Sequence, residues 1–319
     1  MARAAADYYA TRDPFGAAGD FTTAPEISQA FGECLGLWCA VVWQQMGRPD
    51  PVILAELGPG RGTLMADALR AIGQAMPDCR AALQVHLVEA SPRLREAQRA
   101  RLGADVIWHQ EIASLPPGPA LILANEFFDA LPVRQFVRRG AAWTERFVAD
   151  GAFVEQPAEA APPLPAVAPE GAVQEVSEAS LALVAALAAR PGCALLMLDY
   201  GPQDSGFGDT LQAMQAHAAA DPLAAPGSRD ITAHVDFAAL AATAQVAGAA
   251  THGPLPQGLF LQRLGLATRA ATLARIRPSQ AAAQLSAAQR LLAPEAMGRL
   301  FKALAVCDAA LPTPPGFEP

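Results

Sequence analysis

The chain has 319 residues, of which 52% are hydrophobic and only 6% aromatic, so its core must be assembled mainly from Ala, Leu and Val. That length suits one large α/β domain or a domain carrying a substantial insertion. A formal charge of −8, with Lys302 the only lysine, argues against nonspecific attachment to a nucleic-acid backbone, and no nucleic-acid partner is expected.

In chain order, Asp20, Thr22, Thr23 and Glu26 form a polar turn ahead of a helix that begins near Ile27, with Thr23 a candidate cap. Residues 52–57 are a short apolar run ending in glycines. Residues 63–72 follow with Leu64, Ala68, Leu69 and Ile72 at helical spacing, which makes a strand–turn–helix unit. Residues 83–89 alternate and end on Glu89, and Ser91-Pro92 supplies an N-cap and first-turn proline for the next helix. Residues 105–108 and 120–125 read as a third and a fourth strand. Strands alternating with helices imply a parallel sheet with right-handed crossovers, whose ligands sit at the carboxyl ends of the strands.

After Pro132 the pattern changes. Residues 133–138 and 143–148, separated by Arg139-Gly140, predict a β-hairpin, and the Ala/Pro/Glu-rich stretch 156–170 an exposed loop. A helix over 177–189 leads to a buried strand over 193–200 ending in Asp199-Tyr200-Gly201-Pro202, then to a Gly-rich loop at 205–209. Residues 236–246 predict a helix and 258–264 a closing strand. The last 50 residues predict helices interrupted by Pro278 and Pro294, with a Pro-rich tail. The expected organisation is an N-terminal helical lid segment over 1–50, a Rossmann-like domain over 51–265 with an insertion at about 133–176, and a C-terminal helical segment over 266–319. The hydrophobic C-terminal helices are a candidate homodimer face.

Cys34, Cys39, Cys79, Cys193 and Cys307 are scattered and lack a Cys-x-x-Cys pair, so neither a disulfide framework nor a zinc knuckle is indicated. The longest strongly apolar run, 181–189, is about half of the roughly 20 residues a spanning helix needs. No apolar signal segment opens the chain, and the expected location is cytoplasmic, without membrane insertion.

In Glu56-Leu57-Gly58-Pro59-Gly60-Arg61-Gly62 the glycines permit a sharp turn and a close approach to a ligand. Dinucleotide sites use G-x-G-x-x-G and set a pyrophosphate on the helix N-terminus, as in nicotinamide-dependent oxidoreductases. Here the spacing is G-x-G-x-G, with Thr63 in place of the third dinucleotide glycine, which favours a ligand without phosphate. S-adenosylmethionine is such a ligand. Its site needs an acid near the glycine turn and another at the end of the second strand for the ribose hydroxyls, and Glu56 and Glu89 stand at those places. Glu111 and Ile112, after the third strand, are candidates for holding the adenine. With five histidines and no ligand spacing among them, no metal is expected.

Several stretches together resemble the MidA-type family of class I methyltransferases, to which the mitochondrial complex I assembly methyltransferase belongs. They are residues 8–16, 19–28 (Gly-Asp-Phe-Thr-Thr-Ala-Pro-Glu-Ile-Ser), 56–64, 125–132 (Asn-Glu-Phe-Phe-Asp-Ala-Leu-Pro), 198–201, 211–213 and 232–237. The helical segment expected ahead of Tyr8-Tyr9 in that family is nearly absent. The resemblance implies an enzyme that methylates arginine on a core subunit of respiratory complex I with S-adenosylmethionine, and a turn around Thr23 that folds over the cofactor.

It also implies that Asn125-Glu126-Phe127-Phe128-Asp129 presents the catalytic groups at the end of the fourth strand. Glu126 and Asp129 can clamp a guanidinium. Asn125 and Phe128 equally match the amide-plus-aromatic pattern that holds a planar NH₂ group, and the two acids also suit a helix N-terminus. His234 is a candidate for proton removal. The competing functions are a cofactor-binding assembly chaperone without transfer activity and, less favoured by the glycine spacing, a nicotinamide-dependent oxidoreductase.

Overall fold

In the computed structural model, residues 22–215, 218–225 and 227–318 are described, together with Met1 and Tyr8. The Tyr8 to Gly16 motif, apart from Tyr8, and Asp20 lie outside the described residues. A short helix α1 (Ala24–Ile27) ends at Ser28, whose extended backbone (φ −147°) separates it from α2 (Gln29–Gln45). Then come β1 (Val52–Leu57), α3 (Thr63–Ala75), α4 (Pro77–Ala82), β2 (Leu83–Val88), α5 (Pro92–Leu102), β3 (Val106–His109) and β4 (Ala120–Asn125). Ser91 caps α5 by accepting the Leu94 N–H, as its position before Pro92 predicts.

The predicted hairpin is half of a four-stranded antiparallel sheet, β5 (Arg134–Arg139), β6 (Ala142–Ala149), β7 (Ala152–Pro157) and β8 (Val173–Val176), in the order β7-β6-β5-β8. The chain returns through α6 (Glu178–Ala188) to β9 (Cys193–Tyr200). A small sheet of β10 (Gln212–Gln215), β11 (Ala218–Ala220) and β12 (Asp230–Thr232) precedes α7 (Phe237–Val246) and β13 (Ala250–Pro256). The C-terminal part is α8 (Gln257–Arg263), α9 (Leu266–Ile276), α10 (Ala281–Leu292) and β14 (Phe301–Cys307).

The central sheet has seven strands in the order β13-β14-β9-β4-β1-β2-β3. β3, β2, β1, β4 and β9 run parallel, whereas β14 is antiparallel to both β9 and β13. Every residue of β1 is buried, because alternate side chains feed cores on opposite faces: Val52 and Leu54 on one, Ile53, Ala55 and Leu57 on the other. From β1 the chain winds outward to β3 and then crosses back to place β4 on the other side of β1. Their splayed carboxyl ends form the crevice in which open α/β sheets bind ligands.

Two expectations are corrected. Residues 258–264 form helix α8 rather than a closing strand, and the segment 266–319, expected to be helical, contributes β14 to the interior of the sheet. A seven-residue run, apolar except for Lys302 and buried on both faces, carries no period that separates strand from helix. The slot between β9 and β13 decides it, and β14 is buried throughout its length there.

Helix α2 lies tight against α3. A β-carbon on Gly36 would fall 2.5 Å from Ala68 Cα, and one on Gly32 2.7 Å from Asp67 Cβ. Buried Glu33 on α2 then accepts from Arg70 of α3 at 2.9 Å and from Arg269 of α9 at 2.6 Å. Although burial alone would raise its carboxyl, these bonds hold it down at about 2. This packing seats α1 and Thr23 beside the turn that follows β1.

Candidate active site

Gly58, Gly60 and Gly62 all adopt left-handed backbone, with φ of +62°, +52° and +75°. The turn also brings Gly58 against Phe127, where a β-carbon would stand 2.9 Å from the ring. Gly62 delivers the chain to the N-terminus of α3. Glu56 is 3% exposed; it accepts a bond from the Met65 N–H in the first turn of α3, while its Oε2 has no hydrogen-bond partner among the described residues. Burial pushes this carboxyl up to about 8.

The carboxyl ends of β1 to β4 enclose a cavity of about 520 Å³. Of the residues singled out in the sequence, Glu56, Gly58, Gly60, Glu89, Glu111, Ile112, Asn125, Glu126 and Thr23 line it together. Gly62, Asp129 and His234 do not. Thr23 contributes to the wall and makes no cap bond through its side chain, and its neighbour Glu26 is held by the Thr63 hydroxyl at 2.5 Å.

Glu89 closes β2. Its Oε1 accepts the Ser91 N–H at 2.7 Å, and Oε2 lies 3.4 Å from the amide nitrogen of Gln98. Burial raises its carboxyl and those bonds oppose the rise. The Arg95 guanidinium donates to the Glu89 backbone carbonyl and, at 3.0 Å, to that of His109, locking the ends of β2 and β3 together.

The turn after β4 is built around a carboxylate that comes from β9. Oδ2 of Asp199 accepts the backbone N–H groups of Phe127, Phe128 and Asp129 at 3.1, 2.9 and 3.2 Å, and Oδ1 accepts that of Tyr200 at 2.9 Å. Gathering three successive amides curls the chain, and Glu126 just before them takes φ +50°, a strained conformation for a residue with a β-carbon. The Glu126 side chain lines the cavity, where Oε1 accepts the Ala24 N–H at 3.1 Å and the Asn125 amide at 3.2 Å. Burial pushes its carboxyl up to about 7. Asn125 Oδ1 is buried without a partner among the described residues.

The structure does not bring the expected pair of acids together on the cavity wall. Asp129 turns away from the cavity into the layer that holds Asp199 and Tyr200, and burial beside Asp199 raises its carboxyl well above the usual range. His234 does not line the cavity either. Its backbone N–H donates to Thr210 Oγ1 at 2.8 Å, its ring stands edge-on to Tyr200 at 5.6 Å, and burial lowers its pKa, which keeps it neutral away from the cavity. Asp199 and Gln98 also shape the site, beyond the candidates read from the sequence. The Asp199-Tyr200-Gly201 strand end was a visible signal for the first; nothing in the sequence pattern marks the second. Among the described residues, no group of three or more His, Cys, Asp and Glu side chains could hold a metal ion.

The cavity thus combines a backbone cradle without β-carbons, a buried carboxylate with one bare oxygen, a second carboxylate at the next strand end and apolar wall from Val88, Ile112 and Leu131. That set fits a ligand bearing a cation, a diol and a planar ring.

Comparison with known proteins agrees. Residues 34–255 match the model of a family described as S-adenosyl-L-methionine-dependent methyltransferases. The chain is 36% identical over 351 residues to the protein arginine methyltransferase NDUFAF7 homolog, mitochondrial, of Drosophila melanogaster, covering 96% of this chain and 79% of that protein. It is 34% identical over 338 residues to the mitochondrial protein arginine methyltransferase NDUFAF7 of Homo sapiens, covering 94% and 76%. A Burkholderia thailandensis protein crystallised with S-adenosyl-homocysteine superposes with a TM-score of 0.81 at 28% identity, over 95% of this chain and 84% of that one. The chain belongs to this family and is an S-adenosyl-L-methionine-dependent methyltransferase.

Proposed function

We propose that this enzyme methylates an arginine side chain of a protein, with a core subunit of respiratory complex I as its substrate. The observation that carries the reading is Glu126, half-buried, with a strained backbone and its carboxylate facing the cavity beside the glycine turn. The arginine methyltransferase names of the relatives support it.

Bound S-adenosylmethionine supplies an electrophilic methyl group on a sulfonium. Glu56 offers its bare oxygen to the cofactor's ammonium, and Glu89 offers Oε2 to the ribose hydroxyls. Glu111 and Ile112 hold the adenine, Gly58 and Gly60 allow close approach, Gly62 starts the helix behind them and Thr23 completes the wall. For the substrate, Glu126 and the unpartnered Asn125 Oδ1 accept N–H bonds from one guanidinium, orienting a nitrogen for in-line displacement. A carboxyl lifted to about 7 is also a competent acceptor for the proton that the guanidinium must lose. The five cysteines are all buried free thiols, which supports a reducing, cytosolic compartment, and no helix among the described residues is long and apolar enough to cross a membrane.

The test incubates the enzyme with methyl-labelled cofactor and a recombinant complex I core subunit and maps methylarginine by mass spectrometry. Glu126→Gln is expected to cut turnover by roughly 10²–10⁴-fold while S-adenosyl-homocysteine affinity stays within about threefold; Gly60→Val abolishes that binding. Full turnover by Glu126→Gln, or a methyl group on any residue other than arginine, overturns the reading.

A further inference from the structure

Gln98 lies on α5, is completely buried and does not reach the cavity wall. It nevertheless touches the ends of three strands at once. Its amide nitrogen donates to the Gly60 carbonyl at 2.7 Å, in the turn after β1, and to Glu89 Oε2 at 3.4 Å, just beyond β2. Its amide oxygen accepts the Trp108 indole N–H at 2.9 Å, on β3. Every polar atom of the side chain is used, and the orientation is determined. Exchanging oxygen and nitrogen would set an acceptor against two acceptors and a donor against a donor. Space filling does not require an amide here, since a methionine has similar length and volume. The amide is required by the three groups around it.

We infer that Gln98 is a positioning residue for cofactor specificity, aligning Glu89 Oε2 and the Gly60 carbonyl so that the site discriminates a ribose from a deoxyribose. The inference rests on the reading of Glu89 as the ribose acid. Because Glu89 Oε1 is taken by the Ser91 N–H, Oε2 is the oxygen left for a ligand, and the Gln98 amide reaches it from behind. The long 3.4 Å contact steers that oxygen and leaves lone-pair capacity for a sugar hydroxyl. Trp108, whose ring also carries the Arg99 guanidinium at 4.7 Å, fixes the amide from the far side.

The experiment is isothermal titration of S-adenosyl-homocysteine and its 2′-deoxy counterpart into the full chain and into Gln98→Met, Glu89→Gln, the double variant and Trp108→Phe. A charge-assisted hydroxyl contact gives the wild type a preference of roughly 10–100-fold for the ribose form. Gln98→Met is expected to weaken S-adenosyl-homocysteine about tenfold while narrowing the preference several-fold, and Glu89→Gln added to it has far less effect than Glu89→Gln alone. Trp108→Phe narrows the preference in the same direction by a smaller factor, and decides the matter if Gln98→Met does not fold. Equal weakening of both ligands by Gln98→Met, multiplicative effects of the two substitutions, or an unchanged preference in Trp108→Phe overturns the inference. A Glu89→Gln enzyme that keeps the full ribose preference overturns the ribose reading of Glu89 itself, and the role of Gln98 falls with it.

Discussion

Asp199→Ala removes the acceptor of four backbone N–H groups, those of Phe127, Phe128, Asp129 and Tyr200. An orphaned buried donor costs about 1–3 kcal/mol, but one oxygen shared among three amides bonds each less well, so about 1 kcal/mol per group is the appropriate figure. The gross loss of ~4 kcal/mol is offset by relief of a buried carboxylate beside Asp129, leaving about 2–3 kcal/mol. The identity of the ionised partner sharpens the test. Four donors converge on Asp199, whereas Asp129 Oδ1 has none among the described residues. The pair therefore holds its negative charge on Asp199 and its proton on Asp129.

Asp129→Asn should then cost less than about 1 kcal/mol, since a neutral amide replaces a neutral acid. Asp199→Asn keeps one oxygen for the three turn amides but sets an NH₂ against the Tyr200 N–H, and should cost about 1–2 kcal/mol. Urea denaturation of the ligand-free variants measures all three. Equal losses in Asp199→Asn and Asp129→Asn, or a larger loss in the latter, refute the assignment of charge and with it the view that Asp199 shapes the Glu126 turn.

Gly36→Val should destabilise the protein by at least the ~1–3 kcal/mol typical of overpacking, because its β-carbon meets the backbone of Ala68, which cannot turn aside. Thermal melts of that variant beside Gly47→Ala, where nothing lies within 4 Å and only the positive φ is strained, check the packing cause. The carboxyls of Glu56 and Glu126, at about 8 and about 7 against an ordinary 4.5, bind more protons folded than unfolded near neutrality. Their stabilising contribution is full below about 4.5 and is lost progressively as pH rises from there through 7 to 8, so the ligand-free protein should lose stability between about pH 4.5 and 8, more steeply below 7, where both groups contribute. Pairing Glu56 with a ligand ammonium holds it ionised, so S-adenosyl-homocysteine binding at pH 7 should release protons. Titrations in buffers of different ionisation enthalpy detect that release, and its absence removes Glu56 from the ammonium site.

Much of the site was legible because its residues follow one another along short stretches. The glycine turn, Glu89 at the next strand end and Asn125-Glu126 each announce themselves through local backbone chemistry: left-handed φ, a strand ending on an acid, a polar pair closing an apolar run. Asp129 shows the limit of that method. Its spacing from Glu126 is that of a clamp, but three amides drawn to Asp199, 70 residues away, curl the turn so that the second acid points into the protein. His234 lies off the cavity wall for a similar reason, since the loop that carries it is tied to Thr210 and Tyr200.

Residue order by itself determined the β1 turn and the alternation of strands and helices through β4, because those depend on glycine, capping and periodicity within a few residues. Tertiary structure alone decided that 301–307 is a strand and 258–264 a helix, since a short, mainly apolar run takes the form of the slot it fills. It also decided which buried polar groups meet. Gln98 joins three strand ends and Asp199 shapes a distant turn because burial leaves each N–H and carboxylate no water to bond, so partners far apart in sequence must supply what solvent cannot.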